Sequence, residues 1–142
     1  MKAPQIVMDT NVLLSALRSR HGASFRLLGL LGTGKFEINI SVPLVCEYEL
    51  VLKNSKWPGK PAAGHIDDLL DYLCSAGNKW QIHFLWRPRL ADPKDDMVLE
   101  LAVASRSDYI ITFNTSDFPD AREFGIGLLD PGKFLKKLEV HQ

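Results

Sequence analysis

A chain of 142 residues, 46% hydrophobic and 24% charged, is long enough for one well-packed domain and too apolar to be disordered. Lysine plus arginine equal aspartate plus glutamate at 17 each, which excludes the general polyanion attraction of a histone-like protein. Any nucleic acid must therefore be held by a local patch, or through metal ions that offset the chain's own acids.

Gln5-Ile6-Val7-Met8 is a nearly continuous apolar run, as expected of a strand buried on both faces. Asp9 breaks it at once. It is too short for a signal peptide, and no run reaches membrane-spanning length, so the expected location is the cytoplasm, with no membrane partner. Asp9-Thr10-Asn11 are helix-capping types, and a helix is predicted from Val12 to Leu17. Ser24 is the expected cap of a second helix through Leu31, stopped by Gly32 and Gly34. Phe36 to Ile40 alternates apolar and polar residues as a second strand does, and Ser41-Val42-Pro43 opens a helix to about Lys53. Trp57-Pro58-Gly59-Lys60-Pro61 is loop.

His65 to Ala76 has a helical pattern that ends at Gly77. A third strand is predicted from Trp80 to Trp86, then a loop from Arg87 to Pro93. Lys94 to Ser105 reads as helix, and Tyr109 to Thr112 as a fourth buried strand. Ile126 to Leu129 is a short fifth strand leading into a last helix that ends near Leu138. Strands alternating with helices predict α/β architecture: a three-layer α/β/α sandwich around a mainly parallel sheet of four to five strands, as one domain over residues 1–142. Cys46 and Cys74 form no CxxC pair and read as reduced core thiols. His21, His65, His83 and His141 have no paired metal spacing and read as structural or surface residues.

Parallel sheets place ligand sites beyond the carboxyl ends of their strands. Asp9 follows the first strand; Asp92, Asp95 and Asp96 follow the third; Asn114, Asp117 and Asp120 follow the fourth. Glu47 or Glu49 lies in the early turns of the helix after the second. Carboxylates gathered at one edge repel one another unless cations bind between them, and hard oxygen ligands suit Mg²⁺, Mn²⁺ or Ca²⁺ rather than zinc. Each acid also has a plainer reading. Asp9 can be only a helix cap, and the acids at 92, 95 and 96 can serve only a helix dipole. A helical wheel puts Asp95 on the side of Val98, Leu99 and Ala102, and Asp96 beside Glu100, facing water. It leaves Glu47 and Glu49 tied, because they flank the stripe of Leu44, Val45, Tyr48, Val51 and Leu52 symmetrically.

With these positions in place, the sequence resembles a PIN domain over nearly its whole length. The likeness is carried by IVMDTNVLLSAL at 6–17, ISVPLVCEYELVL at 40–52, DPKDDMVLELAVA at 92–104 and DYIITFNTSDF at 108–118. LLDPGKFL at 128–135 resembles the PIN-family toxins of toxin–antitoxin systems, which are VapC-like ribonucleases. The resemblance implies a metal-dependent single-strand endoribonuclease using Mg²⁺ or Mn²⁺, with a cognate antitoxin and a homo-oligomeric state, dimer or tetramer. Matched residue by residue, the family's first three acids fall on Asp9, Glu47 and Asp95, which decides the tie for Glu47. These three would hold the metal, Glu47 through a bound water. Thr112 matches the small polar residue near the fourth acid.

At that fourth position the chain departs from the family, carrying Asn114 with Asp117 three residues later. Asparagine offers a carbonyl oxygen but no charge, which bears on a second metal. Thr10, Asn11, Arg18 and Arg20, with His21, are candidate substrate contacts, and Lys53, Lys56 and Lys60 around Trp57 form a basic segment that could stack a base. Lys133, Lys136 and Lys137 read as the solvated end of the last helix. Two rival readings stand beside the nuclease: a catalytically weak binding or scaffold module of the same fold, and a receiver-like domain. The second ranks lower because no lysine follows Tyr109 to Thr112 where a receiver needs one.

Overall fold

A computed structural model of the chain describes residues 2–82 and 92–140. The elements run β1 (Gln5–Met8), α1 (Thr10–Arg18), α2 (Ala23–Gly29), β2 (Glu37–Ile40), α3 (Val42–Asn54), α4 (Ala63–Ala76), β3 (Asn78–Lys79), α5 (Pro93–Ala104), β4 (Tyr109–Ile111), β5 (Gly127–Leu129) and α6 (Pro131–Val140). Two 3₁₀ turns, Thr115–Asp117 and Ala121–Phe124, lie between β4 and β5. The five strands form one parallel sheet in the order β3-β2-β1-β4-β5. It is the α/β/α sandwich the sequence predicts. No helix among the described residues is long and apolar enough to cross a membrane.

Alternation along β2 separates the layers. Ile38 and Ile40 lie within van der Waals reach of Gly77 at the end of α4. Phe36 shares their parity and meets Phe134 of α6 edge-on at 5.7 Å. Asn39 points to the opposite face, where its amide donates to Ser107 Oγ, just after α5, at 3.3 Å. The same amide donates to Ile6 O and Gln5 Oε1, and Trp80 Nε1 donates to Asn39 Oδ1 at 2.8 Å, so this buried polar side chain is fully engaged.

Several boundaries and surfaces differ from expectation. The third strand is Asn78–Lys79; most of the predicted Trp80 to Trp86 segment lies outside the described residues, as do most of the following loop, His83 and His141. Ser24 does not cap α2: Gly22 is the N-cap, without a side-chain bond, and Ser24 is buried inside the helix. Cys46 is exposed and Cys74 half-buried, both free, so Cys46 is no core thiol. It stands about 200° around α3 from Leu44 and Tyr48, which face the core. Asp96 is buried rather than facing water. Helix α5 buries Asp96, Val98, Leu99, Leu101 and Ala102, far more than one stripe, so a wheel that assumes a single wet face misplaces it.

Candidate active site

The order β3-β2-β1-β4-β5 reverses direction between β1 and β4, where neighbouring crossovers diverge and leave a crevice at the carboxyl edge. Asp9 stands there, at the end of β1. Its backbone N–H extends the ladder to Ile111 O at 2.9 Å, and its extended φ and ψ make it the N-cap of α1. Asp9 Oδ1 accepts from Thr10 N at 2.8 Å, and Oδ2 accepts from the Thr112 hydroxyl at 2.8 Å and from Asn11 Nδ2 at 3.4 Å. Thr112 Oγ1 in turn accepts from Asn114 N at 3.0 Å, and Asn11 Oδ1 from Phe113 N at 3.4 Å. Beneath them the fully buried Tyr48 of α3 donates its hydroxyl to Met8 O. Burial and the charge of Asp9 push the Tyr48 phenol well above its ordinary range.

The second wall is the start of α5. Asp92 is its N-cap, accepting from Lys94 N at 3.0 Å, and Pro93 fits the first turn, where no N–H is needed. Asp95 follows. Burial, then the charges of Asp9, Asp117, Asp92 and Asp96, raise its pKa from 3.8 to about 6. Asp9 is raised too, by burial first and by Asp117 and Asp92, against the hydrogen bonds from Thr112 and Thr10 that favour its charge. Asp9, Asp92, Asp95 and Asp117 thus share one electrostatic environment although they lie far apart along the chain. A raised carboxylate pKa of this origin is what a divalent cation relieves.

Glu47 sits differently. Its side chain is 11% exposed and pairs with Lys94, whose Nζ is 3.4 Å from Oε1. Glu49 is turned outward and pairs with Lys53, so the geometry separates two glutamates that periodicity left equal. Among the described residues, no three His, Cys, Asp or Glu side chains stand as a ready-made metal cage. The donor set still fits a hard divalent ion, being all oxygen, acidic and mutually repelling. Asp9 and Asp95 are the acids that would hold one directly, with Glu47 acting through a bound water.

Other predicted contacts divide. Thr10 and Thr112 are buried, and the Thr112 hydroxyl is taken up by Asp9, so these residues shape the site rather than line its surface. Asn114 and Asp117 are exposed at the first 3₁₀ turn. Arg18 and Arg20 are exposed, but nine residues of helix carry Arg18 about 13 Å along the α1 axis from Asp9. Its guanidinium lies 5.4 Å from the Trp57 ring, which Lys60 also approaches at 5.5 Å. Lys60 Nζ donates to Lys53 O and Ser55 O, and Lys53 bonds Asp67, so much of that basic segment is already engaged.

Two features escape the sequence reading. Lys94, between Asp92 and Asp95, pairs with Glu47, and Phe113 stands 48% exposed between Thr112 and Asn114. Their signals were present: a lysine between Asp92 and Asp95, and a large apolar residue immediately past a buried strand.

The PIN-domain family model matches residues 5–116, ending just before Asp117. Among solved structures, the chain is similar to VapBC2 from Rickettsia felis bound to a DNA fragment from its promoter, with TM-score 0.59 at 16% identity, over 89% of this chain and 98% of that one. It is also similar to FitAB bound to IR36 DNA, with TM-score 0.57 at 15% identity, over 89% and 94%. No curated protein matches the sequence.

Proposed function

The chain belongs to the PIN-domain family, whose members are generally nucleases, and we propose that it is a divalent-metal-dependent endoribonuclease that hydrolyses phosphodiester bonds of single-stranded RNA. The observation that carries this reading is the shared environment of Asp9, Asp92, Asp95 and Asp117, in which Asp95 ionises only near pH 6.

In this reading Asp9 and Asp95 would hold Mg²⁺ or Mn²⁺, Glu47 would act through a bound water, and Asn114 and Asp117 would stand beside them. When bound, the ion orients the scissile phosphate, activates water and offsets negative charge in the transition state. The chain's own residues prepare this. Thr112 and Thr10 fix both oxygens of Asp9, and their hydrogen bonds favour its charged form against burial. Tyr48 anchors the end of β1 beneath it. Asn11 ties the α1 start to the β4 end, so that Asp9 and the Phe113–Asn114 turn keep one spacing.

The similarity to VapBC2 and FitAB supports the role of toxin in a toxin–antitoxin pair with an antitoxin as partner, and a cytoplasmic location and a homo-oligomeric state belong to the same proposal. A second reading, a catalytically weak PIN fold acting as a binding or scaffold module, is favoured by Asn114, which brings no charge to the fourth position. Cleavage of single-stranded RNA by the purified chain, with and without Mn²⁺, decides between them. Metal-dependent cleavage that Asp9→Asn abolishes supports the nuclease. Cleavage that survives the substitution, or none in Mn²⁺, rejects it.

A further inference from the structure

Among the described residues, Lys94 pairs with Glu47, the acid matched to the family's metal-holding glutamate, with Nζ 3.4 Å from Oε1, and it stands on α5 between Asp92 and Asp95. The partners are unequal. The Glu47 side chain is 11% exposed and the Lys94 side chain 58%, so a fixed carboxylate at depth is met by an ammonium coming from the solvent side. The root of that side chain is also fixed. Lys94 N donates to Asp92 Oδ1, and Asp95 is the next residue. The nearby cations have other engagements: Lys53 with Glu49 and Asp67, Lys60 with two backbone carbonyls, and Arg18 over Trp57.

An ammonium and a divalent ion compete for the same carboxylate. The divalent ion carries twice the charge, and an ion pair with one largely exposed partner is weak, so the lysine is the partner that yields when the ion's bound water takes Glu47. A polyanion approaching Asp9, Asp92, Asp95 and Asp117 meets repulsion, which a positive charge on a flexible stem at the rim lowers. Resting on the nuclease reading above, we infer that Lys94 is the phosphate-holding cation of the site. It is parked on Glu47, and it passes to the scissile phosphodiester when a divalent cation takes that carboxylate.

Lys94→Met and Lys94→Arg test this with Mn²⁺ alone, by calorimetric titration, and with a short phosphorothioate single-stranded RNA in Ca²⁺, by fluorescence anisotropy. Lys94→Met is expected to bind Mn²⁺ about five-fold tighter, the competitor being gone, and the RNA about five-fold more weakly. Lys94→Arg keeps the charge and is expected to stay within about two-fold of the parent protein in both assays. Unchanged or weaker Mn²⁺ binding by Lys94→Met overturns the inference, and so does unchanged RNA binding. If the parent protein takes up no Mn²⁺ at all, the metal reading falls and takes this one with it. If it does bind Mn²⁺ and Lys94→Met behaves alike, only the role of Lys94 falls.

Discussion

Thr112, at the end of β4, donates its hydroxyl to Asp9 Oδ2 at 2.8 Å, joining the two strands between which the sheet changes direction. That bond favours the charged carboxylate, whereas burial opposes it. Thr112→Val keeps the shape of a fully buried side chain but removes the donor, and it also leaves Asn114 N without its acceptor. The Asp9 pKa then rises further. Mn²⁺ affinity at neutral pH is expected to fall about 10-fold, the usual cost of losing a partner that orients a metal ligand. Thr112→Ser, which keeps the hydroxyl, restores most of it. Titration of the three proteins with Mn²⁺ checks this, and equal affinities would refute it.

Asp9→Asn separates the two roles that sequence alone could not. As an N-cap, asparagine serves about as well as aspartate, so the fold is expected to survive with little change in melting temperature. As a metal ligand it lacks the charge, and RNA cleavage is expected to fall more than about 100-fold. If Asp9 were only a cap, both readouts would be unchanged.

Asp95 makes stability depend on pH in a direction opposite to most aspartates. Its pKa is about 6 in the fold against 3.8 for the ordinary group, so the folded state binds this proton more tightly than the unfolded state. Its contribution is therefore present in full below about pH 3.8 and lost as the pH rises through 6. Asp95→Asn removes the loss. At pH 7, without metal, its melting temperature is expected about 2–4 °C above the parent's, a solvent-screened gain of roughly 0.5–1 kcal/mol. Mn²⁺ should raise the melting temperature of the parent only, and more strongly above pH 6 than below it. A lower melting temperature for Asp95→Asn would contradict the repulsion.

The sheet was legible in the sequence because a parallel strand buried on both faces is a short apolar run between turn residues, and β1 and β4 have that form. Positions just past such strands follow from topology, which is why Asp9 and the Asn114–Asp117 turn could be assigned to one sheet edge; the Thr112–Asp9 bond across 103 positions was not foreseen. What failed was orientation. Asp96 was assigned by one-stripe reasoning although α5 buries several sides, and Cys46 was read as a core thiol although it lies away from the core side of α3. The Glu47–Lys94 pair was invisible because it depends on how two helices sit against each other, and neither carries that information alone.

Tyr48 belongs to this class of contact, since its hydroxyl reaches Met8 O across 40 positions of the chain. Tyr48→Phe keeps the buried ring and removes the donor, leaving a carbonyl short of a partner at the foot of Asp9. Chemical denaturation is expected to show a loss of about 1–2 kcal/mol. A stability within error of the parent would mean the bond contributes nothing.

Phe113 gives the prediction most specific to the substrate. A phenylalanine ring 48% exposed at the end of a strand costs solvation and covers no core, and its neighbours Thr112 and Asn114 both belong to the Asp9 network. Single-stranded bases stack on such rings, with about 1–3 kcal/mol at stake per base. Phe113→Ala is therefore expected to raise KM for single-stranded RNA about 10-fold while changing kcat little, because stacking holds the substrate equally before and during the reaction. Phe113→Trp should keep or tighten binding. Duplex RNA, whose bases are already stacked, should not respond to either substitution. Equal sensitivity of duplex and single strand would assign Phe113 to packing of the turn instead.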